Sequence, residues 1–132
     1  MTQELLEQVR HLGLPLGSYA LFGSAPMGVR GIREMKDADM IVAPDIFEDF
    51  RKKSDWVLEK KSSGSECLHY GALEMFYDWR PGEWNVAALI AEAEVIEGLP
   101  FVQLKEVQRW KQLRNSEKDR DDLQLIKSYQ AL

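Results

Sequence analysis

The sequence predicts an α+β fold: a small mixed sheet with helices packed against it and further helices at the C-terminus. Helical amphipathic patterns open and close the chain. Short apolar runs of strand type lie between them, and no repeat, low-complexity tract or linker interrupts the order. Residues 1–132 therefore read as one domain.

The elements follow in order. "TQELLEQVRHLG" carries Leu5, Leu6, Val9 and Leu12 on one helical stripe, with Thr2 as its expected cap and Gly13 as its stop. "SYALF" is a short strand ending at Gly23. "SAPMGVRGI" opens a short helix, with Ser24 near its start and Gly28 and Gly31 limiting its length. "ADMIVA" alternates and then runs apolar, as a partly buried strand does. "PDIFEDFRKK" is a helix with Pro44 in its first turn and a basic end. "DWVLEKK" is a strand and "SSGS" a turn. "ECLHYGALEMFYDW" holds two strand-like pieces joined by a bend at Gly71, and "RPGEWN" is a loop. Asn85 caps a helix over "VAALIAEAE". "FVQLKEVQRWKQLR" and "EKDRDDLQLIKSYQAL" are the closing helices. All helices are expected on one face of the sheet.

Composition narrows the functional classes. Seventeen Lys and Arg against 22 Asp and Glu give a net charge of −5, which argues against a broad nucleic-acid surface while allowing a local basic cleft. The one cysteine, Cys67, makes no internal disulfide, and a reducing compartment fits it best. The N-terminus lacks the pattern of a signal peptide, and no apolar run reaches membrane-spanning length; a cytoplasmic location with no membrane partner is expected.

The stretch "LFGSAPMGVRGIREMKDADMIV" stands apart. Glycine lets a ligand approach the backbone, and a serine at a helix start offers N–H and hydroxyl donors to phosphate. Asp37 and Asp39 are two apart, so a strand projects both carboxylates to one side. Two such charges call for a cation, and hard oxygen ligands suit Mg²⁺.

Apolar-Gly-Ser followed by Asp-x-Asp in an apolar strand resembles the signature of the polymerase-beta-type nucleotidyltransferase superfamily. "GLPFVQLKEVQRWKQLRNSEKDRDDLQLI" is similar to the C-terminal helices of small bacterial nucleotidyltransferase-like proteins, including relatives of abortive-infection toxins, through Lys111, Arg114, Lys118, Asp119, Asp122 and Leu123. The resemblance implies the nucleotidyltransferase fold. It implies a nucleoside triphosphate such as ATP held by Gly23 and Ser24, with Lys111 as a further phosphate contact. It implies two Mg²⁺ ions on Asp37, Asp39 and a third acid, and transfer of a nucleoside monophosphate to a hydroxyl acceptor. The acceptor is not legible.

The third acid is expected within "ALEMFYDW". Glu74, set between Leu73 and Met75, is preferred, with Asp78 as rival. The alternative function is a noncatalytic relative acting through a nucleotide or protein partner, in a homodimer or a toxin–antitoxin-like pair. A further reading treats the two short motifs as coincidence in an unrelated α+β domain. Among other residues, Arg30 and Arg33 read as solvated loop arginines, Asp119 and Asp122 as capping or ion-pairing acids. His11 and His69 read as structural, Cys67 as a small buried residue. The four tryptophans read as core or interface anchors, with Trp79 and Trp84 open to either a base pocket or an oligomer contact.

Overall fold

A computed structural model describes residues Met1–Leu132. Helix α1 (Thr2–His11) leads into strand β1 (Tyr19–Phe22). Helix α2 (Ala25–Gly28), strand β2 (Ala38–Val42) and helix α3 (Pro44–Arg51) follow. Strands β3 (Val57–Lys60), β4 (Glu66–Tyr70) and β5 (Leu73–Phe76) precede helix α4 (Val86–Ala91). Strands β6 (Glu94–Ile96) and β7 (Leu99–Phe101) then lead to helices α5 (Leu104–Arg114) and α6 (Glu117–Gln130). The seven strands form one mixed sheet in the order β3-β4-β5-β2-β1-β7-β6. No helix is long and apolar enough to cross a membrane.

Helices cover both faces of this sheet, not one. The reason lies in the period of a strand: successive side chains point to opposite sides. Leu21, Met40, Val42 and Met75 meet Leu5, Leu6 and Val9 of α1 and Phe47 of α3. Their neighbours Ala20, Phe22, Ile41 and Phe76 meet Leu89 and Ile90 of α4, Val107 and Trp110 of α5, and Ile126 of α6. Runs such as "YALF", buried at every position, are what a sheet covered on both sides requires.

Two details differ from the sequence expectation. Thr2 does not cap α1. It lies in the first turn, donates from its N–H and hydroxyl to Glu34 at 3.2 and 2.6 Å, and accepts from the Met35 N–H at 3.1 Å. The hairpin β6–β7 replaces the end of one expected helix and the start of the next. Its turn consists of Glu97 and Gly98, both at positive φ, as a two-residue hairpin turn demands. Pro100 inside a three-residue strand obscures the strand signal.

The bend at Gly71 is found as expected. Tyr70 pairs with Leu73, so β4 and β5 are joined by a tight antiparallel turn. Asn85 caps α4, its side chain accepting from the Ala88 N–H at 3.0 Å.

Candidate functional site

The sheet register decides what meets Asp39. Strands β2 and β5 run parallel, and Asp39 lies opposite Glu74. Thirty-five positions separate them in sequence, yet they stand side by side on two central strands, on the face covered by α4, α5 and α6. Asp37 precedes β2 and is exposed. Asp78 lies beyond the end of β5, where its carboxylate meets Arg80 at 3.3 Å. Register thus places Glu74, not Asp78, beside the Asp-x-Asp pair.

Gly23 sits against this group. Its φ is +62°, and a Cβ built on it would lie 2.3 Å from Asp39 Oδ2. Only glycine leaves room for that carboxylate at the strand end. Ser24 precedes α2, but its side chain makes no cap to the helix, so the hydroxyl is not consumed there.

Asp39 retains a sliver of surface on the cleft, while its Oδ1 is shut away from solvent and has no hydrogen-bond partner. Burial, then the carboxylates of Glu74 and Asp37, push its pKa up to about 8, against a weaker pull from Lys61. The Lys61 ammonium stands 3.3 Å from Glu74 and 3.0 Å from Glu59. Burial lowers the Lys61 pKa, but its bond to Glu59 and the Glu74 charge outweigh that and keep it above the ordinary value. Lys61 escaped sequence reasoning because it sits at the end of a charged run that reads as a solvated face.

A cleft of about 210 Å³ opens beside the acids, lined by Gly23, Ser24, Asp37 and Asp39 on one side and by α5 and α6 on the other. Lys111 lies there, but buried and engaged: its ammonium donates to Asp122 at 2.8 Å and stands 3.7 Å from Asp119. Arg33 donates to both oxygens of Asp122, at 3.1 and 2.8 Å. It is therefore a structural partner across the cleft, not a solvated loop arginine. Arg30 is held too, donating to Glu94 and to the Pro26 carbonyl. Asp119 caps α6 in a reciprocal box with Ser116 and takes a two-pronged contact from Arg114 at 2.8 and 2.6 Å. Capping and ion pairing, as expected, are the roles of these two aspartates.

Two cations on the cleft wall have no ion-pair partner, Lys36 and Lys118. Arg33 first, then burial, and then Lys36 hold the Lys118 pKa below its ordinary value. Mutual repulsion of this kind marks a place where positive charge exceeds what the fold neutralises. No three Asp, Glu, His or Cys side chains close on a common point in the chain. Glu74 leans on Lys61, and Asp37 stands in solvent.

Trp79 and Trp110 are buried, and Trp84 is half-buried beside them. Trp79 stacks on Phe22 at 4.5 Å between ring centroids, and Trp84 and Trp110 meet the same ring edge-on. Cys67 is buried, its thiol pushed up to about 12 by burial and then by Glu74. Neither protein-family models nor curated protein sequences match this chain.

Proposed function

We propose that the Asp39 cleft binds a nucleoside triphosphate with Mg²⁺ and transfers a nucleoside monophosphate to a hydroxyl acceptor, on a nucleotidyltransferase fold. The observation that carries this reading is the Asp39 carboxylate: buried, with one oxygen unpartnered, beside Glu74 and facing the glycine that makes room for it. Such a group costs stability and is kept where it serves a ligand.

The donor chemistry fits a hard divalent cation. Asp37, Asp39 and Glu74 offer only carboxylate oxygen, and the unpartnered Asp39 Oδ1 lacks the positive charge that would complete it. These three residues would hold Mg²⁺, which when bound supplies charge neutralisation and a more acidic attacking hydroxyl. The chain's own residues do the rest. Gly23 admits phosphate oxygens to the backbone, and the Ser24 hydroxyl donates to them. Lys36 and Lys118 draw the polyanion into the cleft. Lys111 contributes positive potential while it holds Asp122, so it positions α5 against α6 as well as facing the phosphates.

A second reading, nucleotide binding without transfer, draws on the Lys61–Glu74 pair, since the ammonium already serves one of the acids. Calorimetric titration of ATP and GTP, with and without Mg²⁺, tests the site. Binding that needs Mg²⁺ and vanishes in a folded Asp37→Asn, Asp39→Asn double variant is expected. No binding by folded wild type with Mg²⁺ or Mn²⁺ overturns both readings. Binding without pyrophosphate release across an acceptor screen selects the second.

A further inference from the structure

Asp39 also lines a second cleft, of about 290 Å³, which shares Asp39, Trp110 and Arg114 with the first but does not touch Gly23, Ser24 or α2. Its walls come from the β3–β4 turn and from the segment after β5, with Ser65, Trp79, Arg80 and Lys61 among them. Two side chains here carry polar atoms that bond to nothing. Ser65 is 2% exposed and Trp79 6% exposed, and both Ser65 Oγ and Trp79 Nε1 are buried without a partner. With Asp39 Oδ1, three of the four such atoms in the chain belong to residues of this one cleft. Buried donors of this kind normally find partners, so their concentration at a single opening points to a guest.

We propose that this second cleft seats the acceptor, and that the acceptor is a small anionic polyol of sugar-phosphate type. The proposal rests on the nucleotidyl-transfer reading. Transfer at phosphorus places the attacking and leaving oxygens roughly in line. With the leaving phosphates at Gly23 and Ser24, the attacking hydroxyl must reach the acids from elsewhere, and this cleft borders Asp39 without touching Gly23 or Ser24. Its oxygen bonds to the α-phosphorus, and the bond from that phosphorus to the bridging oxygen breaks. Pyrophosphate departs with the electron pair. The hydroxyl proton passes to water.

Arg80 and the size of the cleft select the class. Lys61 and Arg114 also line it, but Lys61 is held by Glu59 and Glu74 and Arg114 by Asp119, which leaves Arg80 as the most available cation. Arg80 is half exposed and engages only Asp78 at 3.3 Å and the Ser63 carbonyl at 3.4 Å, so its five-donor fork has donors to spare for a phosphate. The volume stands at the small end of ligand pockets. Trp79 N–H and the Ser65 hydroxyl would then hydrogen-bond the polyol oxygens.

Ribose 5-phosphate, titrated without nucleotide or metal and followed through the indole N–H resonances, tests this. The chain has four tryptophans, and a Trp79→Phe variant assigns the signal. A saturable shift of the Trp79 indole is expected. Affinity should be about tenfold weaker in Arg80→Gln, as loss of a charge-assisted hydrogen bond predicts, and spermidine should leave the signal still. Ribose 5-phosphate should also bind when the nucleotide cleft is filled with ATP and Mg²⁺. An unmoved Trp79 signal in folded protein overturns the proposal. So does competition between ATP and ribose 5-phosphate, which would make the cleft a base pocket. Ribose 5-phosphate binding with no ATP binding leaves a ligand site but removes its acceptor role, and that outcome separates failure of the transfer reading from failure of the cleft.

Discussion

Two groups of acids flank one cleft, with Asp39 lining it on the sheet side and Asp122 on the helix side. On the sheet side, the Lys61 ammonium contacts Glu74 and exerts only a weak pull on Asp39, which keeps an oxygen with no partner. On the helix side, Asp119 and Asp122 are saturated: Lys111, Arg33, Arg114 and the Ser116 cap occupy them. The same residue type is costly in one place and supportive in the other, because a buried charge is tolerable only when paired and hydrogen-bonded. The saturated group locks α5 to α6 and to the loop bearing Arg33. The starved group is left ready for a cation or a proton.

Breaking the saturated side should have the largest effect. Asp122→Ala leaves Arg33 without its carboxylate and Lys111 with Asp119 alone, at 3.7 Å, and loss of one partner from a buried pair costs about 3–5 kcal/mol. Urea unfolding should show that loss; a change within error would mean the network is only surface decoration.

The starved side should respond in the opposite direction. The Asp39 pKa is raised in the folded state, so the folded protein holds its proton while the unfolded chain releases it. Stability linked to Asp39 is therefore present below about pH 4 and lost progressively up to about pH 8. Asp39→Asn should stabilise by on the order of a few kcal/mol at pH 8 and by little at pH 4. Thermal unfolding at both pH values checks this, and equal shifts at the two would deny that the charge is the cause. Asp119 behaves inversely. Burial raises its pKa, but Arg114 and the Ser116 contacts outweigh burial and hold it well below the usual carboxylate range. Its stabilisation is present above that range and is lost progressively as pH falls below it, toward the lower folded value.

Gly23→Ala tests the junction between the motifs. The added Cβ collides with Asp39 Oδ2 and the positive φ disfavours alanine, so a loss of about 1–3 kcal/mol is expected, with nucleotide binding weakened further. Binding that survives intact would separate Gly23 from the site. The smallest effect should come from Ser116→Ala, which removes one side of the capping box and costs about 1 kcal/mol, readable in the unfolding midpoint.

The parts legible in sequence were those set by local patterns. The strand ending at Gly23 and the strand bearing Asp39 followed from apolar runs punctuated by glycine and by alternation. Helix α6 and the cap at Asn85 followed from capping chemistry. The hairpin β6–β7 was hidden because three-residue strands carry almost no periodicity and Pro100 argues against one. Arg33 read as solvated because its partner Asp122 stands 89 positions away.

By itself, the sequence determined which residues are candidates for a site: the glycine at a strand end, the aspartates two apart, and the acids and bases of the last two helices. These depend on φ preference, side-chain alternation and helical spacing, all local in the chain. Only the tertiary structure decided that Glu74 stands beside Asp39, that Lys61 attends it, and that Lys111 is spoken for by Asp122. Strand register and the meeting of distant charges arise from packing both sheet faces at once, and no window of the chain contains that information.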